Sequence, residues 1–339
     1  MQNNLDRGVD LTEMTGDISR GIVCDYHRKP EPLKKTTARQ SDIVGMKSED
    51  RRNLIIDGNI YQSKFTIGME FEKSRLHRSA IGEHSLFCGF ENDSSCGRRQ
   101  GSQGYEAVTH IIPLVPKSIW RMKVFNMFHD AKMIIDDSFS PSNTRCGGHI
   151  SIGVEGVSSD YIAQQMRKFS GLIYAIYRHR LSNHYCSLNL FLDMTEEECR
   201  SPYRKYCTMR VKKNGLVEWR LPSRFSSVNQ TLRRYELFYE LTNFAINKQN
   251  SNLHHFCQSV KPILLAMFEQ DSEKVNKIIA LAKLMQKAIN SGKLCTKTVG
   301  WFEGWWSSMH CKHGSLRRHY KRNVYQNMNK QEWKDENYF

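Results

Sequence analysis

The chain reads as an α+β protein. Three observations lead there. Short runs rich in β-branched and aromatic residues, with alternating polarity, lie near 65–72, 105–112 and 149–154 and read as strands. Asn214-Gly215 stands between two further such runs, at 207–211 and 216–221, and signals a hairpin. Apolar residues recur at helical spacing over 118–136, 159–181, 229–247, 260–270 and 272–290.

Composition narrows the class. At 339 residues the chain is long enough for one large domain or two medium ones. Hydrophobic residues at 39% and aromatics at 11% indicate a globular protein rather than a disordered one. No apolar run reaches the length of a membrane span, and the N-terminus lacks the apolar core of a signal peptide. Ten cysteines without a secretion signal suggest reduced thiols in a cytoplasm. The formal charge of +15 favours anionic partners, nucleic acid among them, although the basic residues are scattered.

Taken in order, residues 1–60 read as a polar, flexible arm with a short strand near 53–56. A core over 61–250 opens with Phe65-Thr66-Ile67-Gly68-Met69-Glu70-Phe71-Glu72. Strand alternation puts Ile67, Met69 and Phe71 on one face and Glu70 and Glu72 on the other. Adjacent carboxylates repel, so holding them in a cleft calls for a cation. Oxygen ligands suit Mg²⁺. An edge strand with a solvated acidic face fits the same stretch taken alone.

Residues 91–104 read as an exposed loop. The strand at 105–112 carries Glu106 and is ended by Pro113. The apolar stripe over 118–136, with Trp120, Val124, Met127, Phe128, Ala131 and Ile135, reads as a core-facing helix. Cys146-Gly147-Gly148-His149 leads into an alternating strand with His149, Ser151 and Gly153 on one face. In the second hairpin strand Glu218 and Arg220 share a face, opposite Val217, Trp219 and Leu221. Residues 251–339 form a helical, basic and aromatic extension. Its Arg317-Arg318-His319-Tyr320-Lys321-Arg322 run could grip single-stranded nucleic acid, and a solvated helix with its tryptophans on the core fits it as well.

Carboxylates, a histidine and an arginine at strand positions make a poor core but a good metal–phosphate site. Carboxylates hold divalent ions, and an arginine grips phosphate in a fork. Cys146 near His149, and His310-Cys311-Lys312-His313, bring zinc-ligand types together, but neither has paired Cys-x-x-Cys spacing.

The order of these pieces resembles the amidoligase family, within the glutamine synthetase and glutamate–cysteine ligase superfamily. The resemblance is carried by Gly68-Met69-Glu70-Phe71-Glu72, Asp93-Ser94-Ser95, Tyr105-Glu106-Ala107-Val108-Thr109, Cys146-Gly147-Gly148-His149 and Val217-Glu218-Trp219-Arg220. It implies a curved antiparallel sheet, packed by helices, whose concave face holds ATP and Mg²⁺ or Mn²⁺. It also implies ATP-dependent joining of an acid and an amine through an acyl phosphate, the substrates being free or attached to a peptide or protein. By that likeness Glu70, Glu72, Glu106, His149 and Glu218 are metal ligands, and Arg220 contacts the transferred phosphate. Arg204 and Arg210 fall to nucleotide phosphates, and Asp93 to the metal or the incoming amine. Relatives often carry a second histidine where this chain has Ser151. The alternative is a catalytically silent protein of the same fold that binds nucleic acid or serves in assembly.

Overall fold

The computed structural model describes residues 53–56, 59–77, 86–97, 104–120, 123–181, 184–186, 206–212 and 215–291. The expected N-terminal arm before residue 53, the tail from 292 onward with its basic run, and Arg204 lie outside them. The described residues form two compact units, one within Met1–Ile162 and Val211–Asn243 and one within Ala163–Arg210 and Phe244–Phe339. Strand and helix are mixed as expected for an α+β protein. No helix among the described residues is long and apolar enough to cross a membrane.

In the first unit, β1 (Asn53–Ile56) and β2 (Asn59–Gln62) pair with each other, antiparallel. The main sheet contains β3 (Phe65–Lys73), β4 (Phe87–Asn92), β5 (Tyr105–Thr109), β6 (Ile112–Pro113), β7 (Gly148–Val154), β8 (Met209–Val211) and β9 (Leu216–Trp219). It is open, with order β4-β5-β3-β7-β9-β8, and β6 also pairs with β3. The pairings of β3 with β5, β6 and β7, of β4 with β5, and of β7 with β9 are all antiparallel.

The alternation read in the sequence settles which residues share a face. Met69 lies opposite Ile150, Ile67 opposite Ile152 and Phe71 opposite Ala107, while Ile150 lies opposite Trp219. All of them are buried. Phe71 stacks near Phe225 at 4.4 Å between ring centroids and meets Phe87 edge-on at 5.6 Å. Trp219 meets Phe238 of the helix α6 (Val228–Asn247) at 5.9 Å. Rings this deeply placed are typically worth about 3–5 kcal/mol each against alanine.

Lys73 ends β3 on this apolar side and is fully buried. Its Nζ donates to Ile135 O at 2.6 Å, Phe225 O at 2.8 Å and Asp137 Oδ1 at 3.0 Å, so every N–H has an acceptor.

Several boundaries differ from expectation. Pro113 does not end a strand but pairs, as part of β6, opposite Thr66. The interruption comes earlier, at Thr109, whose hydroxyl accepts from the Met69 N–H at 3.0 Å in place of a ladder bond. Pro113 O in turn accepts from Tyr235 OH of α6 at 2.6 Å. The loop expected from 91 begins only after β4, and Cys96 in the following 3-10 turn (Ser94–Cys96) is buried. The single helix expected over 118–136 is broken at Ala131, with α1 (Lys117–Trp120) and α2 (Lys123–Asp130) before the break and α3 (Lys132–Ile135) after it. Ala131 leaves helical geometry, and the restart buries both Ile134 and Ile135.

In the second unit, the stretch expected as one helix over 159–181 breaks after α4 (Ser159–Arg167) and resumes as α5 (Ser170–Ile176). The Ser170 hydroxyl donates to Arg167 O at 2.9 Å at the break. Gly171 then lies close against α8 (Ser272–Asn290), where a Cβ would come within 2.6 Å of Ala282 O. Between them α7 (Leu253–Met267) starts seven residues before the expected 260, because Asn252 caps it by accepting from His255 N at 3.0 Å.

Candidate functional site

The polar face of the first unit's sheet gathers the residues singled out above. On β3, Glu70 lies opposite His149 of β7, and Glu72 lies opposite Glu106 of β5. One step along β7, Ser151 lies between Gly68 of β3 and Glu218 of β9. Glu91 of β4 continues the row beyond Glu106. The face is not a solvated one. Glu70 is 1% exposed, Glu218 2%, His149 4% and Glu72 7%. Carboxylates so deep require partners.

His149 bridges the two β3 carboxylates. Its Nδ1 bonds Glu70 Oε2, and its Nε2 lies 3.3 Å from Glu72 Oε1. The other oxygen of Glu72 accepts from the Gly147 N–H and from the Cys96 thiol, the latter at 3.3 Å. Gly148 is required beside these groups, because a Cβ there would sit 2.7 Å from Ser223 O and from the Phe225 ring. Asp93 lies on the same flank. It caps the 3-10 turn by accepting from Ser95 N at 2.7 Å and takes the Cys96 thiol at 3.3 Å.

Two groups of side chains offer ligand atoms within 4.8 Å of one another. They are Glu70, Glu106 and His149, and Glu72, Asp93 and Cys96. The first group could hold a metal ion, and its donors are two carboxylates and an imidazole. A buried oxygen of Glu70, Oε1, has no hydrogen-bond partner among the described residues, as expected of an oxygen reserved for a cation. Cys146 is not in either group; its thiol meets Cys96 instead, which sets aside the zinc pairing of Cys146 with His149.

The electrostatics follow from this crowding. Burial, then the charges of Glu72, Glu70 and Asp93, push the Glu106 carboxyl well above the usual range, and Arg220 only partly opposes them. Burial works against the Arg220 charge. Glu218, and behind it Glu70, Glu72 and Glu106, more than offset this and raise the guanidinium pKa further. Arg220 Nη1 lies 3.2 Å from Glu218 Oε1. The hydrogen bond with Cys146, followed by burial, raises the Cys96 thiol, while the same bond lowers Cys146.

Of the residues expected at the site, Glu70, Glu72, Glu106, His149, Glu218, Arg220 and Asp93 therefore lie on or beside one face. Arg210 is on β8, the strand through which the boundary between the two units runs. Sequence reading overlooked Cys96, the Gly147 N–H and Lys212, whose Nζ stands 3.2 Å from Glu218 Oε1. Cys96 follows the Asp93-Ser94-Ser95 turn directly, and that adjacency was its available signal. Comparison with models of known protein families and with curated protein sequences finds no match.

Proposed function

We propose that the chain is an ATP-dependent carboxylate–amine ligase of the amidoligase type, working with Mg²⁺ or Mn²⁺. The observation that carries this reading is the convergence of Glu70, Glu106 and His149 within 4.8 Å, on the sheet face that also bears Glu218 and Arg220. Oxygen-rich donors of this kind match hard divalent ions. Such ions, when bound, would neutralise nucleotide phosphate oxygens.

The side chains divide the work. Glu70 orients His149 at Nδ1, and Nε2, 3.3 Å from Glu72 Oε1, would be the nitrogen left for the cation. Glu218 holds the Arg220 fork, whose planar charge suits a phosphoryl group passing from ATP to the substrate carboxylate. Asp93, fixed by the Ser95 N–H and hydroxyl, stands ready on the flank to receive the incoming amine. Amine attack on the acyl phosphate then forms the amide and releases phosphate.

The test is mass spectrometry of acid and amine pools incubated with ATP, Mg²⁺ and the protein, beside calorimetry of ATP binding with and without EDTA. Amide products should form, and ATP should bind only with the cation present. Glu70→Gln and Glu218→Gln should each lower turnover by about 10²–10³-fold. Arg220→Lys should also be damaging, because Lys lacks the planar fork. Equal ATP affinity with and without EDTA, or full turnover in well-folded variants, would sink the reading.

A further inference from the structure

The hairpin that carries Glu218 and Arg220 also carries a buried lysine with no evident structural task. Lys212 ends the strand before the turn, and its side chain is 4% exposed. Its backbone is already committed. The N–H donates to Leu216 O at 2.8 Å, and the carbonyl accepts from Gly215 N at 3.1 Å and from Ser159 Oγ at 3.3 Å. Gly215, at φ 78°, makes the turn that returns the chain.

The ammonium is another matter. It offers three N–H donors. It stands 3.2 Å from Glu218 Oε1, yet makes no hydrogen bond of regular geometry among the described residues. Glu218 Oε1 is at the same time 3.2 Å from Arg220 Nη1. One carboxylate oxygen thus faces two cations. Lys73 shows what a structural buried lysine looks like in this protein, with an acceptor for each of its three N–H groups. Lys212 lacks that set. A buried, under-bonded ammonium beside an arginine fork is arranged to receive an oxyanion.

We propose that Lys212 and Arg220 form a paired cation site, bridged by Glu218, that grips one phosphoryl group of a polyphosphate ligand. The identity of that ligand as ATP rests on the ligase reading above; the cation pair itself does not. Lys212 supplies a compact point charge and Arg220 a planar fork, both 3.2 Å from the same oxygen of Glu218. The Ser151 hydroxyl, buried opposite Glu218 and without a partner among the described residues, adds a neutral donor to the same region.

Calorimetry with magnesium tripolyphosphate on the full-length protein tests the pair. The unaltered protein should bind it. Lys212→Met should weaken binding by about 10- to 100-fold, the range for losing a charged hydrogen bond to phosphate, and Lys212→Arg should restore most of the loss. Lys212→Gln, which keeps a polar end, replaces the Met variant if that one melts early. Unchanged affinity in Lys212→Met or Lys212→Gln overturns the proposal, as does a failure of the unaltered protein to bind tripolyphosphate. A shifted melting temperature with unchanged affinity makes Lys212 structural only and overturns it equally. Tight tripolyphosphate binding that Lys212→Met weakens, with no amide formed from ATP and any acid–amine pool, would remove the ligase reading and leave the cation pair standing.

Discussion

Replacing Glu70 with Gln should have opposite effects on stability in the presence and absence of divalent cations. In chelated protein the ligand atoms of Glu70 and Glu106 lie within 4.8 Å. At a pH above the raised Glu106 value, where the melts are run and both carboxylates are ionised, two unit charges at that distance repel by about 3.5 kcal/mol at an effective dielectric constant of about 20. Gln removes the repulsion but weakens the bond to His149 Nδ1 from charged to neutral, a loss of about 1–2 kcal/mol. The net is a gain of about 1.5–2.5 kcal/mol, or a rise in Tm of roughly 3–10 °C. With the cation at a hundredfold its Kd, the unaltered protein should gain about 2.7 kcal/mol by mass action, and the variant almost nothing. Thermal melts in EDTA and in Mn²⁺ or Mg²⁺ measure both arms, and the two melting curves should exchange order. If the variant melts well below the unaltered protein in EDTA, the carboxylates are not crowded as described. If the cation raises both melts equally, Glu70 is not a ligand.

The raised Glu106 carboxyl has its own signature in chelated protein. The folded state keeps a proton that the unfolded chain releases above its ordinary value of about 4.3, so this contribution is whole below that pH and is lost as pH rises through the raised value. Chelated protein should therefore lose stability with rising pH across that window, and Glu106→Gln should flatten the profile in denaturant titrations. Gly148→Ala should lower stability by about 1–3 kcal/mol, because its Cβ meets a backbone oxygen and a packed ring; an unchanged unfolding midpoint would contradict the packing. Lys73→Met should cost about 2–5 kcal/mol, since it leaves the buried carbonyls of Ile135 and Phe225 without their donor, and a melt within 1–2 °C of the unaltered protein would show those acceptors to be served by water.

Much of the site was legible because strand alternation is a local property. The run 65–72 alone separated Glu70 and Glu72 from Met69 and Phe71, and alternation over 217–221 set Glu218 and Arg220 apart from Val217 and Trp219. What alternation could not supply was contact between distant segments. Cys96 reads as part of a polar loop, and only the fold brings its thiol to Glu72. Lys212 reads as the first residue of a charged turn, and its burial depends on how the hairpin is seated. The helix boundaries failed for a related reason. The apolar stripe over 118–136 is continuous in sequence, but the chain leaves helical geometry at Ala131 before resuming at Lys132, a local break that apolar periodicity does not carry.

The pairing of β3 with β7 sets Glu70 against His149 and Met69 against Ile150 in one continuous ladder. A slip by one residue would press Glu70 and Glu72 into the packing around Phe225 and Phe87, and would swing Lys73 away from its three acceptors. The same acidic row that would bind a cation thus acts as a proofreader while the chain folds. Misaligned pairings carry the desolvation of two carboxylates and a stranded ammonium, and they dissolve before the sheet can close around them. An insertion of a single residue in the middle of β3 would therefore be expected to prevent folding altogether, whereas the same insertion in the hairpin turn at Gly215 would leave the alignment of β3 untouched.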